Sequence, residues 1–258
     1  MNTFDRRNHI IDLVNTNGSV LVSDISSGLG VSEVTIRADL RLLEKRGLLA
    51  RFHGGAAKTA TSSQDASVNK ELNLNDRYKV AADPKRRIAA AAANLVREGD
   101  TIILDSGSTT KLLAEELLER TNITVITNNL AAAYVLADNK DITLVVCGGT
   151  IRHKTVSLHG ALAEYALRDV AANIMFVGAD GLDGQNGITT FNEGYAISSS
   201  MAAVANQVVV ITDSSKFGRK GFNIVLPIEK IDMIITDSDA PASEIEHFKE
   251  IGKKMIVV

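Results

Sequence analysis

Seven short runs of β-branched and other apolar residues most constrain the fold of this chain: Thr101 to Leu104, Ile123 to Thr127, Ile142 to Cys147, Ile174 to Gly178, Val208 to Thr212, Met233 to Thr236 and Met255 to Val258. Each is too short and too uniformly apolar for a surface strand, and helical stretches separate most of them. Strands buried on both faces read this way, which predicts a mostly parallel α/β sheet. The 258 residues allow a smaller domain beside it.

The smaller domain lies at the N-terminus. Phe4 to Asn15 is spaced as a helix, with Ile10, Ile11 and Val14 inward and Arg6, Arg7 and His9 outward. Val22 to Gly30 predicts a second short helix capped by Ser23, with Ile25 and Leu29 inward and Gly30 supplying the positive φ of a tight turn. Ser32 suits an N-cap for a third helix, in which Ile36, Leu40 and Leu43 recur on one face while Arg37, Arg41, Glu44 and Lys45 gather opposite. Leu48 to Phe52, the Gly54-Gly55 turn and Ala56 to Lys58 then form a hairpin, and Val20-Leu21 is suited to pair with it. Helix, helix, turn, helix and basic-tipped hairpin is the geometry that lays a helix in the major groove with a β-ribbon alongside. An amphipathic helix with a merely solvated charged face fits the periodicity alone equally well.

The segments RRNHIIDLV, GSVLVSDI, VSEVTIRADL, LEKRG and RFHGG resemble the N-terminal domain of DeoR-type bacterial transcriptional repressors. The resemblance implies a winged helix-turn-helix that binds double-stranded operator DNA through Ser32, Thr35, Arg37, Arg41, Arg51 and His53. Many members carry a second basic residue where this chain has Ala38. Repressors of this kind read paired half-sites, so a homo-oligomer, at least a dimer, is expected.

Charge follows the same division. Residues 1–58 hold eight Lys/Arg against six Asp/Glu, while the rest of the chain holds 20 against 25, so only the N-terminal piece leans towards a phosphate backbone. Cys147 is the single cysteine, which excludes an intrachain disulfide or a cysteine-cluster zinc site; it reads as core filling. No metal-ligand spacing of histidines occurs, and His153 and His159 fall on a polar connection. With no apolar signal core and no membrane-length apolar stretch, a cytoplasmic location is expected. Thr59 to Lys70 is polar and aperiodic, as a linker is, and Asp83-Pro84 reads as the N-cap and first position of an alanine-rich helix. The expected division is a DNA-binding domain over 1–58, a linker over 59–82 and an α/β domain over 83–258.

Ligands of open parallel sheets bind beyond the carboxyl ends of the strands, and those positions are small and polar here. Asp105-Ser106-Gly107-Ser108-Thr109-Thr110 precedes the helical KLLAEELLER, so hydroxyls and free helix N-H groups could cradle a phosphate. A strand-to-helix turn built from capping residues fits that segment as well. No GK[ST] follows, which excludes a Walker loop. Thr127-Asn128-Asn129, Gly148-Gly149, Gly178 to Gly181 and Asp213 to Lys216 add further polar strand ends.

These features resemble the C-terminal sensor domain of the DeoR family, similar in fold to ribose-5-phosphate isomerase and to CoA-transferases. The resemblance implies a phosphorylated sugar or polyol effector, galactitol derivatives among the candidates, and no cofactor. On that reading Ser106, Gly107, Ser108 and Thr109 hold the phosphate. Asp105, Asn128, Asp180 and Glu193 meet hydroxyls near Gly149, and Lys216 balances charge with Arg152 or Lys154 as a second cation. Asp180 and Asp213 equally suit turn caps, Glu193 a solvated carboxylate and Arg152 a surface charge. Two other functions share the residues: an isomerase with Asp105, Glu193 and Lys216 as acid-base groups, or a DNA-bound scaffold with an inert α/β domain.

Overall fold

The computed structural model describes residues 2–52, 54–58, 74–190, 196–221 and 223–258. They fall into two compact units, one within 1–71 and 220–222 and the other within 72–219 and 223–258. His53 at the hairpin tip, Glu193 and the polar stretch 59–70 lie outside the described residues.

In the N-terminal unit, α1 (Thr3–Asn17) buries Ile10, Ile11 and Val14 and stops at Gly18. Strand β1 (Ser19–Leu21) leads into α2 (Val22–Leu29), which ends on Gly30 in the left-handed region at φ 62°. Helix α3 (Glu33–Lys45) starts at Ser32, whose Oγ accepts the Thr35 N–H at 3.3 Å; such a cap contributes about 1 kcal/mol. Strands β2 (Ala50–Phe52) and β3 (Gly55–Ala57) make the hairpin, and β1 joins it in the antiparallel order β1-β3-β2. Gly55 is required by close approach: a Cβ there would lie 2.4 Å from the Val20 carbonyl oxygen. Ser23 does not cap α2; its hydroxyl bonds the neighbouring Asp24 carboxylate, and Leu21 holds the cap position. Arg6 and Arg7 do not point to solvent either. Their Nε atoms donate at 2.6 and 2.7 Å to the two oxygens of Asp39, a carboxylate buried on the inner face of α3.

The C-terminal unit opens with α4 (Leu74–Lys79), a helix inside the stretch expected as linker. Its Leu74 N–H bonds the Lys154 carbonyl, and its Arg77 pairs with Asp180. Helix α5 (Ala82–Ala93) begins one residue before Asp83, which therefore is not the cap but forms a first-turn ion pair with Arg87. From there the chain alternates as β4 (Thr101–Leu104), α6 (Ser108–Glu116), β5 (Ile123–Thr127), α7 (Leu130–Leu136) and β6 (Ile142–Val146). A hairpin of β7 (Thr150–Arg152) and β8 (Ser157–His159) follows, then α8 (Ala161–Tyr165), β9 (Ala172–Val177), β10 (Gly181–Asp183) and β11 (Gly187–Thr190). The chain closes with α9 (Ala196–Ala203), β12 (Ala205–Ile211), β13 (Asn223–Leu226), β14 (Met233–Thr236), α10 (Ala242–Glu250) and β15 (Lys254–Val257).

All seven apolar runs become the strands of one parallel sheet, ordered β15-β14-β12-β9-β4-β5-β6. Alternate residues feed opposite cores. Ile102, Leu104, Phe176 and Val209 pack with Ile88, Ala92 and Leu113 of α5 and α6, while Ile103, Met175, Val177 and Val210 pack with Met201 and Phe248 of α9 and α10. Burial on both faces explains why the runs are continuously apolar. The antiparallel sheet β10-β11-β13 and the β7-β8 hairpin were not anticipated.

Candidate functional site

On α3 the side chains of Arg37 and Arg41 are exposed and Ile36, Leu40 and Leu43 are buried, so the helix presents a basic face while its apolar face holds it in place. Ser32 and Thr35 are engaged with each other, their hydroxyls 2.9 Å apart at the helix start. Arg37 pairs with Glu33 at 2.6 Å, and Arg51 on the hairpin pairs with Glu44 at 2.9 Å.

In the α/β unit, parallel order places the carboxyl ends of β12, β9, β4, β5 and β6 along one edge of the sheet. Asp105, directly after β4, is buried; it accepts the Ser106 N–H and, at 2.6 Å, the Ser198 hydroxyl from α9. Burial raises its pKa against the opposing pull of Ser198, Ser106, His159 and Asn128. Burial also pushes the Cys147 thiol up to about 11, with Asp105 adding to the shift, so Cys147 is an unreactive core thiol beside the site. Gly107 precedes α6, Ser108 and Thr109 sit nearly buried in its first turn, and the Thr110 hydroxyl closes back on the Gly107 carbonyl at 3.0 Å. Asn128 is fully buried. Its Nδ2 donates to the Leu158 carbonyl, while its Oδ1 has no hydrogen-bond partner among the described residues. Asn129 is structural: its Oδ1 caps α7 and its Nδ2 bonds the Gly107 carbonyl.

Gly149 stands at the mouth of the β7-β8 hairpin, where a Cβ would lie 2.4 Å from the His159 carbonyl oxygen. Arg152 bonds Thr155 at 3.4 Å, and a hydroxyl chain runs from Thr155 through Ser157 to the His159 Nε2 in steps of 2.7 Å. Arg152 is thus linked to the histidine that acts on Asp105, rather than standing as a surface charge. His159, expected only on a polar connection, is brought close enough to Asp105 to act on its carboxyl.

A second cluster follows β9 and β12. Asp180 pairs with Arg77 at 3.1 Å and accepts the Thr190 hydroxyl at 2.7 Å. Burial alone would raise its pKa, but Arg77, Thr190, Lys216 and Arg219 hold it below the usual carboxylate range. Asp213 does cap a turn, accepting the Ser215 N–H, and it also lies 3.7 Å from Lys85. Lys85 is almost wholly buried, donates to the Arg77 and Val80 carbonyls at 2.8 Å, and has its pKa pushed down to about 8 by burial, partly offset by Asp213. Lys216 is lowered by burial and stabilised by Asp213 and Asp180. Lys154 is exposed; the cations grouped with Lys216 are Lys85, Arg77 and Arg219. Among the described residues, Lys85, Arg77, Lys216 and Arg219 thus gather with Asp180 and Asp213, a cation-rich group of the kind that can receive an anion.

Residues 6–62 match the DeoR-like helix-turn-helix domain, and residues 80–238, more than half of the chain, match the DeoR C-terminal sensor domain. The chain belongs to the DeoR family. A protein of Escherichia coli O157:H7 named as a repressor of the aga operon is 37% identical over 99% of this chain and 94% of its own length. The HTH-type transcriptional regulator GolR of Listeria innocua is 34% identical over 96% of each chain. The lactose phosphotransferase system repressor of Streptococcus mutans is 32% identical over 96% of this chain and 98% of its own. Among solved structures, ribose 5-phosphate isomerase A of Methanocaldococcus jannaschii aligns with 53% of this chain and 54% of its own at 24% identity and a TM-score of 0.40.

Sequence reading of this DeoR-family chain missed Arg77, Lys85, Ser198 and Arg219. Lys85 carried a usable signal, because it stands on the same helical stripe as Ile88, Ala89 and Ala92. A lysine on the buried stripe of a helix demands a partner. Ser198 carried none, since a single serine in an alanine- and serine-rich helix is locally ordinary. No helix among the described residues is long and apolar enough to cross a membrane.

Proposed function

We propose that this DeoR-family chain represses a sugar or polyol catabolic operon: residues 1–58 bind double-stranded operator DNA as part of a homo-oligomer, and residues 83–258 bind a phosphorylated sugar or polyol that releases it. The observation that carries the reading is the polar, cation-rich edge of the α/β sheet in a chain whose other unit is a winged helix-turn-helix. Helix α6 offers its N-terminal amides and Lys216 with its neighbours offers charge to a phosphate, while Asp105 and Asn128 offer acceptors to hydroxyls. Hexitol and ketose phosphates of galactitol breakdown are the first candidates. The relatives named as transcriptional regulators support a non-enzymatic role.

Arg37→Ala is expected to cost about 1 to 3 kcal/mol at the operator by removing a base-edge contact. The duplex for the measurement is one enriched by the wild-type chain from a randomised pool, and unchanged affinity in a folded variant would remove Arg37 from the interface. One feature favours a second reading, an isomerase-like activity: Asp105 and Lys216, two of the candidate acid-base groups, both follow strands at the carboxyl edge of the sheet and are at least partly shielded from water. Incubating the protein with the same phosphates and assaying for product separates the two.

A further inference from the structure

Arg37 and Arg51, two of the three arginines expected to meet DNA, are held in different ways. Arg37 is paired with Glu33 one turn earlier on the same helix, and both side chains are about half exposed at 52% and 44%. Such a pair exchanges readily with water. Arg51 and Glu44 are also partly exposed, at 33% and 43%, but they are joined at two points across two elements. One carboxylate of Glu44, on α3, accepts the Arg51 main-chain N–H at 3.1 Å through Oε1 and the Arg51 Nε at 2.9 Å through Oε2. The recognition helix and the middle residue of β2 therefore share a single carboxylate. Among the described residues Glu44 pairs with Arg51, and on the guanidinium it meets only the Nε edge. The two terminal nitrogens remain for another acceptor.

An acid on a face that meets phosphates lowers DNA affinity unless it does something else there. We propose that Glu44 is a positioning residue for DNA recognition: it fixes Arg51 relative to α3, so that the terminal amines meet a backbone phosphate when the helix enters the groove. The arrangement is carboxylate, guanidinium, phosphate in series, with the arginine ordered before binding rather than during it. Ordering one long side chain in advance is worth about three- to tenfold in affinity. This inference rests on the DNA-binding reading above.

The signature is a loss on one DNA that is absent or reversed on the other. Glu44→Ala is expected to weaken binding to the enriched duplex about three- to tenfold, while binding to a random-sequence duplex stays equal or tightens because a negative charge is gone. Its salt slope is not expected to become shallower, whereas Arg51→Ala makes the slope shallower by about one unit. Glu44→Gln, which keeps an acceptor, recovers part of the loss, and Glu44→Ala adds no further loss in an Arg51→Ala background. Tighter binding to both duplexes would make Glu44 a repulsive bystander and overturn the proposal. So would a proportional loss on both accompanied by a lower unfolding temperature, or additive losses in the double variant. If the wild-type chain enriched no duplex at all, the DNA-binding reading itself would fall, and this inference with it.

Discussion

Asp39→Ala is expected to destabilise the N-terminal unit by about 2 to 4 kcal/mol and to abolish operator binding while the α/β unit stays folded. Asp39 is 2% exposed and binds both Arg6 and Arg7, which are 11% and 25% exposed. Breaking a buried pair by removing one partner costs about 3 to 5 kcal/mol, because the other charge is left uncompensated. Here the arginines reach water, so part of that cost is relieved. The remainder is still large for a unit of this size, since small domains bury little of their surface and have little stability to lose. Heating the intact chain while following both units is expected to show one earlier transition in Asp39→Ala, with Asp39→Asn intermediate. Transitions in Asp39→Ala that coincide with those of the wild type would mean the ion cluster holds nothing together.

The second large effect separates DNA binding from effector response. Asp105→Asn, Asp105→Ala and Lys216→Ala are expected to leave operator affinity near wild type yet to raise the effector concentration needed for release at least about tenfold. A hydrogen bond to a charged group is worth about 1.5 to 3 kcal/mol, and each factor of ten corresponds to about 1.4 kcal/mol. A ligand shifts the protein off DNA only through its differential affinity for the two states, and the coupling is reciprocal. Removing a ligand contact therefore removes release without touching Arg37. Asp105→Asn keeps the volume and an acceptor for Ser198, so it controls for any local loss of packing that the smaller alanine causes. A normal effector response in all three variants would place the ligand elsewhere.

The parallel sheet was legible because each strand is buried on both faces, and a run such as Ile102-Ile103-Leu104 has no other comfortable environment. The side sheet was not. Two of its three strands begin with Gly181 and Gly187, residues that weaken strand propensity but permit backbone contacts that a Cβ would block at 2.4 and 2.3 Å. Helix α4 was hidden for a similar reason: six polar-rich residues have no intrinsic helical stability, and Leu74 and Arg77 are held by tertiary contacts to Lys154 and Asp180. Arg6 and Arg7 were misread because periodicity assigns charge to solvent, while the acid that draws them inward is more than thirty residues away. The strand-end residues themselves were readable as candidates. Their partners were not, since Ser198 meets Asp105 only through the packing of α9.

The central claim is that the polar sheet edge senses a phosphorylated sugar or polyol and thereby controls DNA binding. Its most direct test is fluorescence anisotropy of the intact wild-type chain on its enriched duplex, titrated with phosphorylated hexitols, pentoses and ketoses and with their unphosphorylated counterparts. Release is expected with one phosphorylated compound, unmatched by its unphosphorylated form, and accompanied by stabilisation of about 2.7 kcal/mol at 100 times its Kd. DNA binding indifferent to every phosphate, or a phosphate converted to product without release, would contradict it.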